Sequence, residues 1–217
     1  MTKMNTINEY VILLHGLARS AHSMDKMAQR LTEQGYQVLN INYPSRTLPI
    51  EQLAEQTISD AVAQCGDLPI NFVTHSMGGI LVRQFLSNHQ IKNLNKVVML
   101  GPPNKGSEVV DKLSHLPGFH FVNGDAGMQL GTGALSVPNK LGKANFDVGI
   151  IAGTQSINLV LSSLIPNADD GKVSVESTKV DGMNDHIEMP TTHVFMMRNE
   201  AVISQVIRYL KHGKFEH

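Results

Sequence analysis

Apolar runs alternate with helical patterns along most of this sequence, and that alternation limits the possible folds more than any other feature. The first run, residues 11–14, has no polar residue at alternate positions, as in a strand that is buried on both faces. Residues 23–34 follow with apolar side chains at helical spacing, and Gly35 ends this pattern as a helix stop. Strands that alternate with helices of this length predict β-α-β units and a mostly parallel sheet.

We therefore predict one α/β domain, residues 1–217, with a sheet of about six strands and helices on both faces. Strands are expected at 10–14, 36–41, 69–73, 96–100 and 147–152, with a shorter one before His193. Helices are expected at 23–34, 50–65, 78–88 and 199–212.

Segment 102–145 interrupts the alternation. It is rich in Gly, Pro and Asn, and only residues 107–116 have a helical pattern. Long irregular segments in compact domains are often lids or binding loops. The segment follows the fourth strand, at the sheet edge where ligands bind in open α/β sheets, so we expect an insertion that covers substrate.

Composition excludes several classes of protein. The chain has 217 residues, 41% of them hydrophobic, and a net charge of −1, which predicts a globular core and no nucleic-acid partner. The single cysteine, Cys65, excludes an intrachain disulfide framework. No apolar run approaches the roughly 18 residues of a membrane helix, and the first residues lack a secretory pattern. We expect no stable membrane insertion and a cytoplasmic location.

A serine stands where the third predicted strand meets the third predicted helix. Two residues before Ser76 is Thr74, and two residues after it is Gly78. A sharp strand-to-helix turn needs small residues at these two places, because the two backbones crowd there, and it would expose the serine hydroxyl. The alternative is that Ser76 is an ordinary N-cap of the helix.

Other parts of the sequence supply partners for a reactive serine. The first strand ends in His15-Gly16-Leu17, where Gly16 permits close backbone approach, so the N–H groups of Leu17 and Met77 are candidate oxyanion donors. A serine also needs a base and an acid that orients the base. An acid follows the fifth strand, and His193 precedes the last helix, so the order is serine, acid, histidine.

Several assignments have competitors. Asp169 competes with Asp170 as the acid, and His186 competes with His193 as the base. His186 follows Asn184-Asp185 in a polar loop, which predicts an exposed residue or one at the rim of the pocket. His75 beside the serine is expected to pack beneath the turn rather than to act in acid–base chemistry. Arg19 and Arg46 either border the pocket or pair with carboxylates. None of the histidines has metal-ligand spacing, so we expect no metal site.

Taken together, these motifs resemble those of the α/β-hydrolases, in particular small bacterial lipases and carboxylesterases. The matching pieces are His15-Gly16-Leu17, Thr74-His75-Ser76-Met77-Gly78, Pro103-Asn104-Lys105-Gly106-Ser107, Asp170-Gly171-Lys172-Val173 and His193. The resemblance implies that Ser76 is the nucleophile, Asp170 the acid and His193 the base. It also implies oxyanion donors at Leu17 and Met77, with Thr74 at a place where relatives usually have glycine.

The resemblance implies a serine esterase that cleaves a small-molecule carboxylic ester without a cofactor. Substrate contacts are expected at His15, Gly16, His75 and Lys105. Two alternatives remain open: the same three residues could serve a thioesterase, amidase or acyltransferase, or the fold could bind a ligand or partner without catalysis. Neither the substrate nor the oligomeric state follows from the sequence.

Overall fold

A computed structural model describes residues 7–156, 165 and 168–217 of the chain. Six strands form one parallel sheet in the order β2-β1-β3-β4-β5-β6. The strands are β1 (Tyr10–Leu14), β2 (Gln37–Ile41), β3 (Ile70–His75), β4 (Leu94–Leu100), β5 (Val148–Gly153) and β6 (Asp185–Met189). The predicted six-stranded parallel sheet is confirmed.

Helices lie on both faces of this sheet. The helices are α1 (Asp25–Glu33), α2 (Ile50–Ala63), α3 (Met77–Asn88), α4 (Glu108–Leu113), α5 (Phe119–Met128), α6 (Val137–Lys140), α7 (Val175–Thr178) and α8 (Glu200–His212). Short 3-10 helices at Ala21–Met24 and Met196–Arg198 precede α1 and α8. None of the described helices is long and apolar enough to cross a membrane.

Alternate residues of each central strand pack into two separate hydrophobic cores. In β1, Ile12 packs in the core that contains α2 and α3, whereas Val11 packs in the core that contains α1 and α8. Both residues are fully buried. This double burial explains why the strands are continuous apolar runs in the sequence.

The region around Ser76 differs slightly from the prediction. Strand β3 continues to His75, two residues beyond the predicted end, and α3 begins immediately after Ser76 at Met77. The sheet hydrogen bonding continues because Ser76 N–H donates to Leu100 O at 2.8 Å. Ser76 is therefore the single residue between strand and helix.

The expectation of one helix in segment 102–145 was wrong, since α4, α5 and α6 all lie there. Helix α5 follows Gly118, and it is kinked at Gly124, whose φ of 64° is not helical. Glycine has a low helix propensity, so the sequence pattern concealed these short helices. The predicted helix at 107–116 is present but shorter, as α4.

Candidate functional site

The turn at Ser76 has an unusual backbone conformation. Ser76 has φ 53° and ψ −122°, and it is one of two described non-glycine residues with positive φ. A Cβ on Gly78 would lie 2.7 Å from Leu14 O, so only glycine lets α3 approach β1 this closely. Ser76 makes no side-chain capping bond to α3, which argues against the alternative of a simple N-cap.

Three side chains that are distant in sequence form one hydrogen-bonded chain. Ser76 Oγ lies 3.0 Å from His193 Nε2, and His193 Nδ1 lies 2.7 Å from Asp170 Oδ2. The His193 and Asp170 side chains are almost completely buried. With the proton on Nδ1, His193 donates to Asp170, and Nε2 accepts from the serine hydroxyl.

The carboxylate of Asp170 is held by its own loop. Its Oδ1 accepts hydrogen bonds from the backbone N–H groups of Lys172 and Val173, at 3.0 and 2.9 Å. Asp170 O also accepts a bond from His193 N–H at 2.9 Å. The acid and the imidazole are therefore fixed relative to each other by backbone as well as by side-chain contacts.

The competing residues have other partners. Asp169 Oδ1 accepts from Gly171 N–H at 2.7 Å and stabilises the turn. The sequence predicted that His186 lies in a polar loop, but the structure places it in strand β6. Its Nε2 lies 3.0 Å from Thr178 Oγ1. The structure thus brings Asp170 and His193, rather than these two residues, to Ser76.

His15 fixes the loop that follows β1 but does not line the cleft beside Ser76. Its Nδ1–H donates to Gly16 O at 2.9 Å, its Nε2 accepts from Tyr43 N–H, and its ring stacks on Tyr43 at 4.1 Å. The Tyr43 hydroxyl donates to His15 O. Burial lowers the pKa of His15, which favours the neutral ring that these contacts require.

Two backbone N–H groups beside Ser76 have no hydrogen-bond partner among the described residues, those of Leu17 and Met77. Met77 is the first residue of α3, where N–H groups point away from the helix and the helix dipole favours negative charge. A Cβ on Gly16 would lie 3.2 Å from Ser76 Cβ, which places the loop of Leu17 directly against the turn.

His75 is buried behind the turn and also contributes to the cleft wall. Its Nε2–H donates to His193 O at 2.9 Å, so it supports the segment that carries the imidazole. Burial, followed by the charges of His193, Arg19 and Lys172, lowers its pKa well below the ordinary value. This side chain is therefore a neutral structural contact, in agreement with the packing role expected from the sequence.

A cleft lies beside Ser76 and His193. One wall comes from α4, α5 and the loop that follows α5. The cleft is lined by Leu17, Arg19, His75, Ser76, Pro103, Ser107, Val109, Val110, Phe119, Asn123, Leu130, Lys172, Val173 and His193. Segment 102–145 thus forms much of this wall.

Sequence reasoning missed the cleft residue Lys172, and it expected substrate contacts at His15, Gly16 and Lys105, none of which lines the cleft. Lys172 lines the cleft, and its place in the loop after Asp170 was the available signal. Lys105 was expected to contact substrate, but the structure places it outside the cleft, where its Nζ pairs with Glu176 at 2.6 Å. Of the two arginines, Arg19 lines the cleft, whereas Arg46 donates to Val122 O at 3.4 Å.

No group of three or more His, Cys, Asp or Glu side chains within the described part of the chain is arranged to hold a metal ion. Cys65 is buried at the end of α2, where its Sγ lies 3.4 Å from Ala61 O. The polar side chains that line the cleft carry hydroxyl, imidazole, amide, guanidinium and ammonium groups.

A parallel sheet with a strained serine turn, a histidine and a buried carboxylate at one edge defines an α/β-hydrolase architecture. A family model described as alpha/beta hydrolase fold matches residues 9–120, more than half of the sequence. The chain belongs to this family. No curated protein matches the sequence.

Solved structures with the same fold include a lipase and two esterases. Bacillus licheniformis lipase BlEst2 in its mature form superimposes with a TM-score of 0.74 at 16% identity, over 97% of this chain and 95% of the lipase. The metagenomic carboxyl esterase MGS0156 has a TM-score of 0.74 at 16% identity, over 96% and 77%. The esterase EaEST from Exiguobacterium antarcticum has a TM-score of 0.60 at 16% identity, over 94% and 92%. At these identities the likeness establishes the fold.

Proposed function

We propose that this protein is a serine hydrolase that cleaves carboxylic esters through an acyl-enzyme. The observation that carries the proposal is the hydrogen-bonded chain from Ser76 through His193 to Asp170 at a strained turn. A serine hydroxyl is a weak nucleophile until a base accepts its proton, and a carboxylate keeps that base in the required tautomer. The structural neighbours include a lipase and a carboxyl esterase, which agrees with ester chemistry.

The first half of the reaction transfers the acyl group to Ser76. His193 Nε2 accepts the hydroxyl proton as Ser76 Oγ attacks the ester carbonyl, and Asp170 stabilises the imidazolium that forms. The carbonyl oxygen becomes an oxyanion that accepts hydrogen bonds from the N–H groups of Leu17 and Met77. The bond to the alcohol oxygen then breaks, and His193 gives its proton to the departing alcohol.

The second half frees the acid. Water enters where the alcohol left, His193 accepts one of its protons, and the hydroxide oxygen attacks the acyl carbonyl. The same two N–H groups hold the second oxyanion. When the bond to Ser76 Oγ breaks, His193 returns the proton to the serine, and the carboxylic acid leaves. Every step is a proton or acyl transfer, so the mechanism needs no redox cofactor.

Ser76→Ala tests the nucleophile. We expect this variant to lose more than about 99.9% of the hydrolysis of short para-nitrophenyl esters, because only its oxyanion donors and binding cleft remain. Wild-type protein should also form a covalent adduct with a fluorophosphonate, located at residue 76 by mass spectrometry. Ser87→Ala, on the exposed end of α3, is the matched control and should retain full activity and labelling.

The same experiment separates the alternatives. A protein that folds but is not labelled at Ser76 would be a ligand-binding member of the family and would refute the proposal. Labelling with faster turnover of thioesters or amides than of oxygen esters would keep the mechanism and replace the substrate class. Retention of most esterase activity in Ser76→Ala would refute the assignment of the nucleophile.

A further inference from the structure

Two cations line the cleft beside the reactive serine without an ionic partner. Arg19 comes from the loop after β1, and Lys172 comes from the loop after the acid. Among the described residues, neither side chain makes a hydrogen bond or an ion pair. Positive groups that face a largely apolar cleft without a counter-ion are available to a ligand.

The residues outside the described structure contain no side-chain carboxylate that could pair with Arg19 or Lys172. Residues 1–6, 157–164, 166 and 167 contain no Asp or Glu. An ion pair from the parts of the chain outside the described structure is therefore excluded by composition. No Asp or Glu is among the described residues that line the cleft either.

Carboxylates near the cleft in sequence are engaged elsewhere. Glu108, at the start of α4, accepts hydrogen bonds from the hydroxyls of Ser174 and Ser177. Asp111 accepts from the backbone N–H and the hydroxyl of Thr132. Asp170 is bound to His193, as described above. Among the described residues, none of these acids forms an ion pair with Arg19 or Lys172.

The two cations also interact with each other. Loss of hydration lowers the pKa of Lys172, although the residue remains exposed at the cleft mouth, and repulsion from Arg19 lowers it further. The negative charge of Asp170 opposes this shift. An anion bound between the two side chains would relieve the repulsion and replace water with a charged partner.

We propose that the substrate of this site is an ester that carries a second, anionic group, a carboxylate or a phosphate, bound by Arg19 and Lys172. The inference rests on the proposed function, since it concerns the substrate of the same cleft. The ester carbonyl lies at Ser76, the apolar part of the substrate contacts residues such as Phe119 and Leu130, and the anionic group lies at the two cations.

The test compares anionic esters with neutral esters of similar shape. Para-acetoxybenzoate carries its charge on the alcohol side of the ester, and para-acetoxybenzamide is its neutral partner. Para-acetoxyphenyl phosphate tests phosphate against carboxylate. The monomethyl ester of adipic acid carries its charge on the acyl side, and the corresponding amide is its neutral partner. Each variant is compared with wild type on the same ester, so differences in intrinsic reactivity cancel.

For Arg19→Gln and Lys172→Gln we expect kcat/KM to fall about three- to tenfold more for an anionic ester than for its neutral partner. Added salt should weaken the wild-type preference, because partly exposed charges are screened. Lys92→Gln is the matched control, since Lys92 is exposed before β4, outside the cleft, and the substitution removes the same charge. The Lys92→Gln variant should have the same kcat/KM as the wild type for both esters of each pair.

Equal losses on both members of every pair would overturn the proposal, even if Ser76→Ala abolished hydrolysis as expected. If the wild type cleaved no ester at all, the proposed function would fail, and binding would decide the inference. Calorimetry with Ser76→Ala protein then compares para-acetoxybenzoate with its amide. Tighter binding of the benzoate that Arg19→Gln removes supports an anion site, and equal binding refutes it.

Discussion

Asp169 and Asp170 are adjacent, buried and identical in side chain, yet their contacts differ completely. Asp170 faces His193, whereas Asp169 accepts from the N–H of Gly171 in its own turn. Both lie in one tight turn, so a shift of one position changes the partner of the carboxylate. The residues alone left the two aspartates as alternatives, and the resemblance to a family pattern favoured Asp170.

Exchange of each aspartate for asparagine measures this difference. Asp170→Asn should lower kcat about 10³- to 10⁴-fold, because an amide in its place favours the wrong tautomer of His193. Asp169→Asn should lower the midpoint of thermal unfolding but leave kcat within about threefold, since it alters a charge-assisted bond to one turn. Steady-state kinetics on one ester, with circular dichroism to verify folding, decides the matter. Comparable kcat losses in both variants would contradict the assignment.

Among the elements, helix α5 matters most for the shape of the cleft. Phe119 and Asn123 of this helix line the cleft, and the kink at Gly124 brings the helix against the loop after β2. A Cβ on Gly124 would lie 1.9 Å from Arg46 O, and its φ of +64° is unfavourable for other residues. The position of this wall thus depends on one glycine.

Gly124→Ala should displace α5 from the loop of Arg46. We expect limited proteolysis within segment 102–145 to become at least about fivefold faster, because local opening costs less free energy when the packed state is strained. KM should rise because the wall of the cleft moves. Gly133→Ala is the control, since no atom lies within 4 Å of its added Cβ. Equal proteolysis rates for the two variants would refute this role.

The sequence predicted the sheet better than it predicted the cleft wall. Strands such as β1 are doubly buried, so their apolar runs identify them directly. The bends at Gly118 and Gly124 concealed α5, and its position depends on contacts with a loop about 80 residues away. The juxtaposition of Arg19 and Lys172 was equally inaccessible, because it requires two loops to meet at one edge of the sheet.

For the molecule as a whole, buried histidines couple folding to pH. Burial lowers the pKa of both His15 and His75 in the folded state, relative to an ordinary value of 6.5. Below that value the unfolded chain takes up protons that the folded protein does not bind. The free energy of unfolding therefore decreases as pH falls through 6.5 toward the lower pKa values of the folded state.

Urea unfolding between about pH 7.5 and pH 5.5 tests this coupling. Each histidine that remains neutral should contribute a slope of up to about 1.4 kcal/mol per pH unit on the acid side of the range. His75→Gln should flatten the dependence, whatever its effect on stability at neutral pH. His115→Gln, at an exposed position, should leave the slope of the wild type unchanged. Stability that does not vary over this range would refute the coupling.

The parallel strands carry the loops of Arg19 and Lys172 without contributing either side chain themselves. A catalyst engineer can therefore randomise these two positions in a small library and leave the hydrophobic interior untouched. Acidic replacements would make this part of the cleft negative and favour esters that carry a quaternary ammonium group. Aliphatic replacements would favour esters with long apolar chains. One scaffold would then yield several selectivities by exchange at its periphery.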